Sequence, residues 1–431
     1  MPGSAPAVSH FRIEGGVPLR GDIVPGGNKN AILPMIAAAV LTEEEVILHN
    51  VPRIRDVDAM LNILAHLGVE FDYEDTTLRI RAAQIAHFEI PKTLCRELRT
   101  SFLMVAPLLI RIGKAKVYPP GGDVIGRRRL DAHFYGLRVL GAEADPETFE
   151  FEAHAGLHGR DMFFDEASVT ATEHIMMAAA LADGTTIIRN AASEPHVQDL
   201  ANLLNKMGAH VDGINTNTLT ITGVASLHGA EHRIVSDHIE TGSFIALAAA
   251  TGGEITVHDT VHSHYWMIQR VFQRFNLTLG FDRHSVTLAG SLEPRIQKDI
   301  GGAIPRIDDG PWPQFPSDLM SSMIVLATQS EGSVLFFEKM FESRIYFVDR
   351  LIQMGASIIV CDPHRVVVTG KTTLSGQPMS SPDIRAGMAL LNAALCADGE
   401  SIVDNAGIID RGYENIFEKL RSLGARIERF D

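Results

Sequence analysis

Six short polar segments stand at the start of long apolar runs, where packing alone has no use for them. In chain order they are Lys29-Asn30, Arg99, Ser168-Val169-Thr170, Thr241-Gly242-Ser243, Asp318, and Asp383 with Arg385. The runs that follow, such as KNAILPMIAAAVLT at 29–42, have helical composition. A helix start offers free backbone N–H groups and a partial positive charge, a natural place for an anion. More cations lie in PPGGDVIGRRR at 119–129. Its paired prolines and glycines predict an exposed, hinged loop, and Arg127, Arg128 and Arg129 give it the charge to close on anions. Asp318, within FPSDL, is a candidate base. It is also a candidate helix N-cap, because Pro316 and Ser317 lead into an apolar run there.

Other conspicuous residues read as structural. His262 and His264, in HDTVHSHYW, have no Asp or Cys partner at metal-ligand spacing, so an exposed turn is predicted. Gly26-Gly27 is no phosphate-binding P-loop, because the GK[ST] ending is absent. Cys95, Cys361 and Cys396 are far apart and show no CxxC spacing. They predict reduced thiols rather than a disulfide framework or a zinc site. His133 and His174 are placed near the cleft lining, with no proton role assigned.

The elements that must position these residues come from internal repetition. AALADGTTIIRN at 179–190 aligns without a gap to ALCADGESIVDN at 394–405. An apolar residue, a glycine and a small residue recur as LGV at 67–69, LGA at 140–142, MGA at 207–209, MGA at 354–356 and LGA at 423–425. RFNLTLGF at 274–281 sits where a degenerate sixth marker should be. Six copies of roughly 70 residues fill the chain, a repeat architecture. Within a copy, EVILHNV at 45–51 reads as a strand and DVDAMLNILAHLG at 56–68 as a helix with Asp56 as cap candidate and Gly68 as stop. VEFDYED and TTLRIRA follow as a hairpin. The helices like 29–42 are apolar on nearly every side and are predicted to be buried. Three units per domain would put three such helices inside and the sheets outside. Packed about a local threefold, their N-termini would point into one cleft between two domains.

Composition narrows the function classes. The chain has 431 residues, 45% of them hydrophobic, too many for one ordinary core. Its formal net charge of −15 argues against nucleic-acid or anionic-membrane binding. The longest strongly apolar stretch, FLMVAPLLI at 102–110, is about half a membrane span. The opening MPGSAPAVSHF lacks the basic-then-apolar order of a signal peptide. A soluble, cytoplasmic protein is expected.

With these residues in view, the sequence resembles the enolpyruvyl transferase family. The motifs are GGNKNA at 26–31, LRTS at 98–101, PPGGDVIGRRRLDAH at 119–133, SVTAT at 168–172, FPSDL at 315–319, FESR at 341–344, PDIRA at 382–386 and DRGYE at 410–414. The likeness runs from about residue 10 to the end, and the GGNKN, PGG…IG and DRGYE signatures look like the nucleotide-sugar branch. The resemblance implies an α/β fold of two inside-out α/β barrels, each of three repeated βαβαββ units, joined by a double-stranded hinge. One domain would span 29–234 and carry the lid loop 119–129; the other would combine 1–28 with 235–431. The implied reaction transfers the enolpyruvyl group of phosphoenolpyruvate to the 3′-hydroxyl of UDP-N-acetylglucosamine and releases phosphate, the first committed step of peptidoglycan synthesis. It needs no metal and no organic cofactor. Shikimate 3-phosphate or another nucleotide as acceptor, and a ligand-binding paralogue without catalysis, are the alternatives.

Carried over residue by residue, the resemblance implies that Lys29, Arg128 and Arg411 surround the phosphate of phosphoenolpyruvate. Arg344 and Arg385 fall near its carboxylate, and Arg99 lines the cleft. Arginine suits such work because its fork engages two oxygens together. Asp318 falls beside the acceptor hydroxyl. Asp123 stands where many members carry a cysteine that protonates C3 of the donor. The nucleotide sugar would touch Asn30, Arg128, Arg129, Leu130, Asp131, Ala132, Ser168, Val169, Thr170, Asp318, Met340 and Phe341. The sequence departs from the family at Glu166, where some members have lysine, at Arg129 for a common proline, and at Thr170 for a usual glycine. Trp312 adds an aromatic to DGPWPQFPSD. These departures bear on the acceptor more than on the reaction type.

Overall fold

The computed structural model describes residues 9–122, 126, 128–290 and 293–430. Within them the chain divides into two compact units. An amino unit is built from Gly27–Gly122 and Arg128–Val235, and a carboxy unit from the residues up to Gly26, Gly126 and the residues from Ser236 on. Each has its own apolar core: buried residues of the one run from Ala31 to Ile234, and of the other from Phe11 to Ile23 and Ile239 to Ile427.

The repeat reappears as six sheets, three in each unit. In the amino unit the strand Glu45–His49 pairs antiparallel with Thr77–Arg81, which pairs in turn with Glu70–Glu74. Its fourth strand, Ala230–Arg233, joins in parallel from the far end of the unit. The same order recurs for Asp161–Phe163, Thr185–Arg189, Thr218–Thr222 and His210–Asp212. The remaining sheet has three strands, and a single parallel bridge from Glu89 to Lys116 takes the place of the fourth. In the carboxy unit the N-terminal segment fills two vacancies. Arg20–Ile23 pairs in parallel with Glu254–His258, and His10–Glu14 lies antiparallel between Glu400–Asp404 and Arg426–Phe430.

The glycine marker has a backbone cause. Gly68, Gly141, Gly208, Gly355 and Gly424 all adopt the left-handed conformation, with φ between 78° and 106°. Each ends a helix in the manner of Gly68, whose N–H bonds to Ala65 O while Val69 N–H bonds to Leu64 O. Asn276 is the degenerate copy, with φ 59°, the same pair of bonds to Gln273 O and Phe272 O, and the side chain best able to replace glycine there. A second left-handed position, closing the strand after the buried helix, is shared by Asn50, Asn190, Asp259 and Asn405.

The apolar helices are buried as predicted. Ala31 to Ala39 of the helix Lys29–Ala39 are all inaccessible, and so are nearly all of His238–Ala250, Ser317–Thr328 and Ile384–Cys396. Each buried Leu, Ile or Met contributes about 1.5–3 kcal/mol, so these helices are the centre of each core. The latter three pack on one another in the carboxy unit. In the second repeat the buried segment is instead a 3₁₀ turn, Arg99–Met104, running into the helix Val105–Ile112.

Two local expectations need correction. Asp56 is no cap: the helix runs Arg55–Leu67 from Ile54, and Asp56 is buried inside its first turn. Thr241-Gly242-Ser243 does not open a helix either, because His238–Ala250 starts three residues earlier under Asp237, whose carboxylate accepts from the Ile239 and Glu240 amides.

Candidate active site

In the carboxy unit two helix starts and one turn bring one carboxylate and two guanidiniums together. Asp318 lies in the first turn of Ser317–Thr328, and Arg385 in the first turn of Ile384–Cys396, capped by Asp383. Arg344 follows the strand Gly332–Phe337 across a short turn. Arg344 Nη1 donates to Asp318 Oδ1 at 2.6 Å, and Arg385 donates through Nε and Nη2 to Oδ2 at 3.0 and 2.9 Å. Pro316 holds the N-cap position, without a side-chain bond, so Asp318 is committed to the arginines and not to capping. Burial alone would lower both guanidinium pKa values; the charge of Asp318 overrides it and raises both above arginine's ordinary value. Arg344 Nε and Arg385 Nη1 are buried with no hydrogen-bond acceptor among the described residues. Arg344 also lies over the Phe341 ring, and Arg385 over Tyr413, whose hydroxyl bonds to Ser243. Met340, in the same turn as Phe341, is exposed, and Arg411 ends the half-buried turn Ala406–Arg411.

In the amino unit the cations are arranged differently. Lys29 Nζ meets Asp56 Oδ2 at 2.8 Å, with Asp56 almost inaccessible. Asn28 caps that helix, its Oδ1 accepting from the Asn30 and Ala31 amides. Gly27 cannot be another residue, because a Cβ there would lie 1.8 Å from Asn50 O. Arg99 opens the 3₁₀ turn and donates to the Arg129 carbonyl at 2.8 Å. Burial, and then the like charge of Arg128, lower its pKa to about 10, with Glu166 acting the other way. Ser168 caps the helix Val169–Ala179 by accepting from Ala171, and Thr170 Oγ1 lies 3.1 Å from His133 Nε2. Leu130, Asp131 and Ala132 begin the next helix, where Leu130 and Asp131 line an open hollow of about 600 Å³ with Phe134, Tyr135 and Phe149.

Asp123 and Arg127 of the loop 119–129 lie outside the described residues. His133 and His174 are both buried, 3.0 Å apart between their Nδ1 atoms, in edge-on contact with the Phe102 ring. His262 stacks on Phe281 in the short turn His262–Tyr265, while His264 is buried rather than exposed. Among the described residues no group of three His, Cys, Asp or Glu gathers to hold a metal ion.

Three participants escaped the sequence. Asp56 partners Lys29, and the buried carboxyls Glu338 and Asp309 stand behind the Asp318 cluster. Asp56 carried a signal, an acidic residue at a helix start, which a cap explains equally well. Glu338 and Asp309 carried none, because each ends a strand where a polar residue ordinarily faces solvent.

Two units of three sheets around buried apolar helices define a class of repeat-built α/β proteins, and comparison gives the chain a family. The chain belongs to the family described as EPSP synthase (3-phosphoshikimate 1-carboxyvinyltransferase), which it matches across residues 13–420. Among curated relatives, UDP-N-acetylglucosamine 1-carboxyvinyltransferase of Borreliella burgdorferi is 52% identical over 420 residues, covering 97% of this chain and 98% of its own. The proteins of that name from Treponema denticola and Bradyrhizobium diazoefficiens are 51% and 50% identical over 97% of this chain and 98% and 97% of theirs. Among solved structures, the enolpyruvyl transferase NikO from Streptomyces tendae superposes with a TM-score of 0.86 at 21% identity, covering 98% of this chain and 99% of its own. EPSP synthase from Acinetobacter baumannii gives 0.76 at 17%, covering 98% and 100%. At such identities the two structures speak for the fold alone, the mixed α/β fold of the enolpyruvyl transferases.

Proposed function

We infer that this protein transfers the enolpyruvyl group of phosphoenolpyruvate to the 3′-hydroxyl of UDP-N-acetylglucosamine, with release of phosphate, as the first committed step of peptidoglycan synthesis. The observation that carries the acceptor is the 50–52% identity over 97% of the chain to relatives bearing that activity as their name. The family model is named for a shikimate phosphate instead, and the shared fold does not separate the two acceptors.

The chemistry asks little beyond charge and one proton acceptor. The acceptor oxygen bonds to C2 of the donor while its proton leaves to a base and C3 gains one. The adduct then loses phosphate and a C3 proton to give the enol ether. In this reading Asp318 takes the hydroxyl proton. The unsatisfied Arg344 Nε and Arg385 Nη1 are donors suited to a substrate carboxylate. Lys29, Arg128 and Arg411 serve the phosphate, and Arg99 lines the site. Asp123 supplies the proton to C3. Asn30, Arg129, Leu130, Asp131, Ala132, Ser168, Val169, Thr170, Met340 and Phe341 contact the nucleotide sugar.

The architecture that goes with this function is a pair of inside-out barrels, each of three βαβαββ modules, with a double-stranded hinge between domains 1–28 plus 235–431 and 29–234. Three sheets around buried helices in each unit support the barrels. Two of the chain's passages between the units, at Gly26–Gly27 and Val235–Ser236, support the hinge. A cytoplasmic location fits three unpaired cysteines, and no helix among the described residues is long and apolar enough to cross a membrane.

The test is phosphate release from phosphoenolpyruvate with each acceptor in turn. Release with UDP-N-acetylglucosamine is expected. Release with shikimate 3-phosphate alone would replace the acceptor, and release with neither would leave a binding protein.

A further inference from the structure

Behind the Asp318 cluster lies a second layer that no part of the reaction above uses. Glu338 is inaccessible to solvent, at the end of the strand Gly332–Phe337. Its Oε1 and Oε2 lie 2.8 and 2.9 Å from Ser317 Oγ, which donates to them, and Oε1 also accepts from the Phe341 amide at 3.2 Å. Ser317 Oγ in turn accepts from Arg344 Nη1 at 3.1 Å, the same nitrogen that bonds to Asp318. One carboxyl therefore links both parts of the carboxy-unit site: through Ser317 the arginine on Asp318, and directly the turn carrying Met340 and Phe341.

We propose that Glu338 is a positioning residue for the transfer reaction, fixing Arg344 against Asp318 through Ser317 and fixing the Met340–Phe341 turn through the Phe341 amide. The proposal rests on the functional reading above. It needs Glu338 to act as a neutral acid, and its surroundings supply the reason. Asp309 is likewise inaccessible and faces it, with its Oδ1 held by the Lys339 amide. Two buried carboxyls in contact must share a proton. Burial first, then the hydrogen bond and charge of Asp309, push the Glu338 pKa up to about 9, against the pull of Arg344 and Ser317. The other charged groups nearby are turned elsewhere: Lys339 Nζ bonds to Asp308, and the His364 ring bonds to the Glu338 backbone carbonyl. A neutral acid accepts from Ser317 and Phe341 while donating to Asp309, and glutamine can do the same with its carbonyl and amide.

Three variants of the full-length chain test this: Glu338→Gln, Glu338→Ala and Ser317→Ala, assayed for phosphate release with phosphoenolpyruvate and UDP-N-acetylglucosamine. Glu338→Gln should match wild type at neutral pH. It should also lack the alkaline fall in kcat expected of wild type near pH 9. Glu338→Ala should lower kcat/KM about 10²-fold, the cost of an ångström-scale misplacement, by lowering kcat and raising the acceptor KM. Ser317→Ala should lower kcat and spare the acceptor KM, because the Phe341 contact remains. Wild-type constants in a folded Glu338→Ala protein would overturn the proposal. So would Glu338→Gln as impaired as Glu338→Ala. If wild type releases no phosphate with this acceptor, the functional reading falls, and the positioning claim is decided by the Arg344 Nε–H resonance. That proton should exchange slowly in wild type and Glu338→Gln and rapidly in Glu338→Ala; equal exchange in all three would overturn the positioning claim.

Discussion

In the carboxy unit Arg344 and Arg385 reach Asp318 at 2.6 and 2.9 Å, whereas in the amino unit Arg99 is buried near the like charge of Arg128, with the exposed Glu166 acting the other way. The first arrangement is charge-compensated in the protein itself. Its geometry is fixed beforehand, and removing any member leaves a buried charge without its partner. In the second, burial and like charge outweigh Glu166 and work against Arg99, lowering its pKa to about 10. A cation held at a cost to stability is what an anion site requires, since the ligand brings the missing charge. Lys29, paired with Asp56, stands between the two cases.

The largest effect should come from breaking the compensated cluster. Asp318→Asn removes the proposed base and the charge that balances two guanidiniums. Phosphate release should fall about 10²–10⁴-fold. Stability should fall by about 3–5 kcal/mol, towards the lower end because the Asp318 side chain is 25% exposed. Urea unfolding read beside the turnover assay separates the losses. A variant as stable as wild type would show that Arg344 and Arg385 do not need Asp318, and the contrast between the units would fail.

A loss of similar size is expected at Asp123, which the comparison does not reach. Asp123→Ala should lose about 10²–10⁴-fold in turnover as a missing general acid. Asp123→Cys should keep activity and become open to time-dependent inactivation by the epoxide fosfomycin, because a thiolate is a far better nucleophile than a carboxylate. Mass spectrometry should find the adduct on that variant alone. An inactivating adduct on wild type at Cys95, Cys361 or Cys396 would place the reactive lid elsewhere.

Arg99→Met against Arg385→Met sharpens the contrast at intermediate size. Both should weaken substrate binding by about 1.5–3 kcal/mol, the worth of a charge-assisted hydrogen bond. Their stabilities should move apart. Arg385→Met unbalances Asp318 and destabilises; Arg99→Met relieves burial and repulsion, and should leave the protein as stable as wild type or more so. Equal destabilisation would mean that Arg99 is compensated by a partner after all.

How much of this was legible in sequence depends on the distance over which a signal acts. The repeat was readable because its cause is local: a left-handed residue after each helix needs glycine, and even the degenerate copy used the next best residue, Asn276. The polar helix starts were readable because lysine, arginine and aspartate at the head of an apolar run have no packing use. Asp56 was misread because an acidic residue at a helix start has a sufficient local explanation, while its true partner Lys29 lies one strand earlier. Glu338 and Asp309 were invisible because a carboxyl ending a strand looks solvated, and only tertiary packing buries the two against each other. His133 and His174, 41 residues apart, became a pair only in the fold.

That histidine pair gives the smallest effect at neutral pH, and the one that divides the units most cleanly. With the two Nδ1 atoms 3.0 Å apart, one ring must donate and the other accept, so the two cannot both be protonated. Burial, and for His133 also the neighbouring His174 and Arg99, lower both pKa values, that of His174 to about 3. An unfolded histidine takes up its proton near 6.5, so the native pair contributes its full stability above that pH and loses it as the pH falls towards the native values. Each ring then costs at most about 1.4 kcal/mol per pH unit. Glu338 in the carboxy unit has the opposite sign: its contribution is full below the ordinary value of 4.5 and is lost as the pH rises to about 9. Glu173, buried in the amino unit and also raised, adds to the alkaline loss, which leaves the acid side as the discriminating one. In urea unfolding from pH 5 to 9, His174→Gln should flatten the acid limb alone and Glu338→Gln the alkaline limb alone. An acid limb unchanged in His174→Gln would show that carboxylates, and not this pair, set the acid sensitivity of the amino unit.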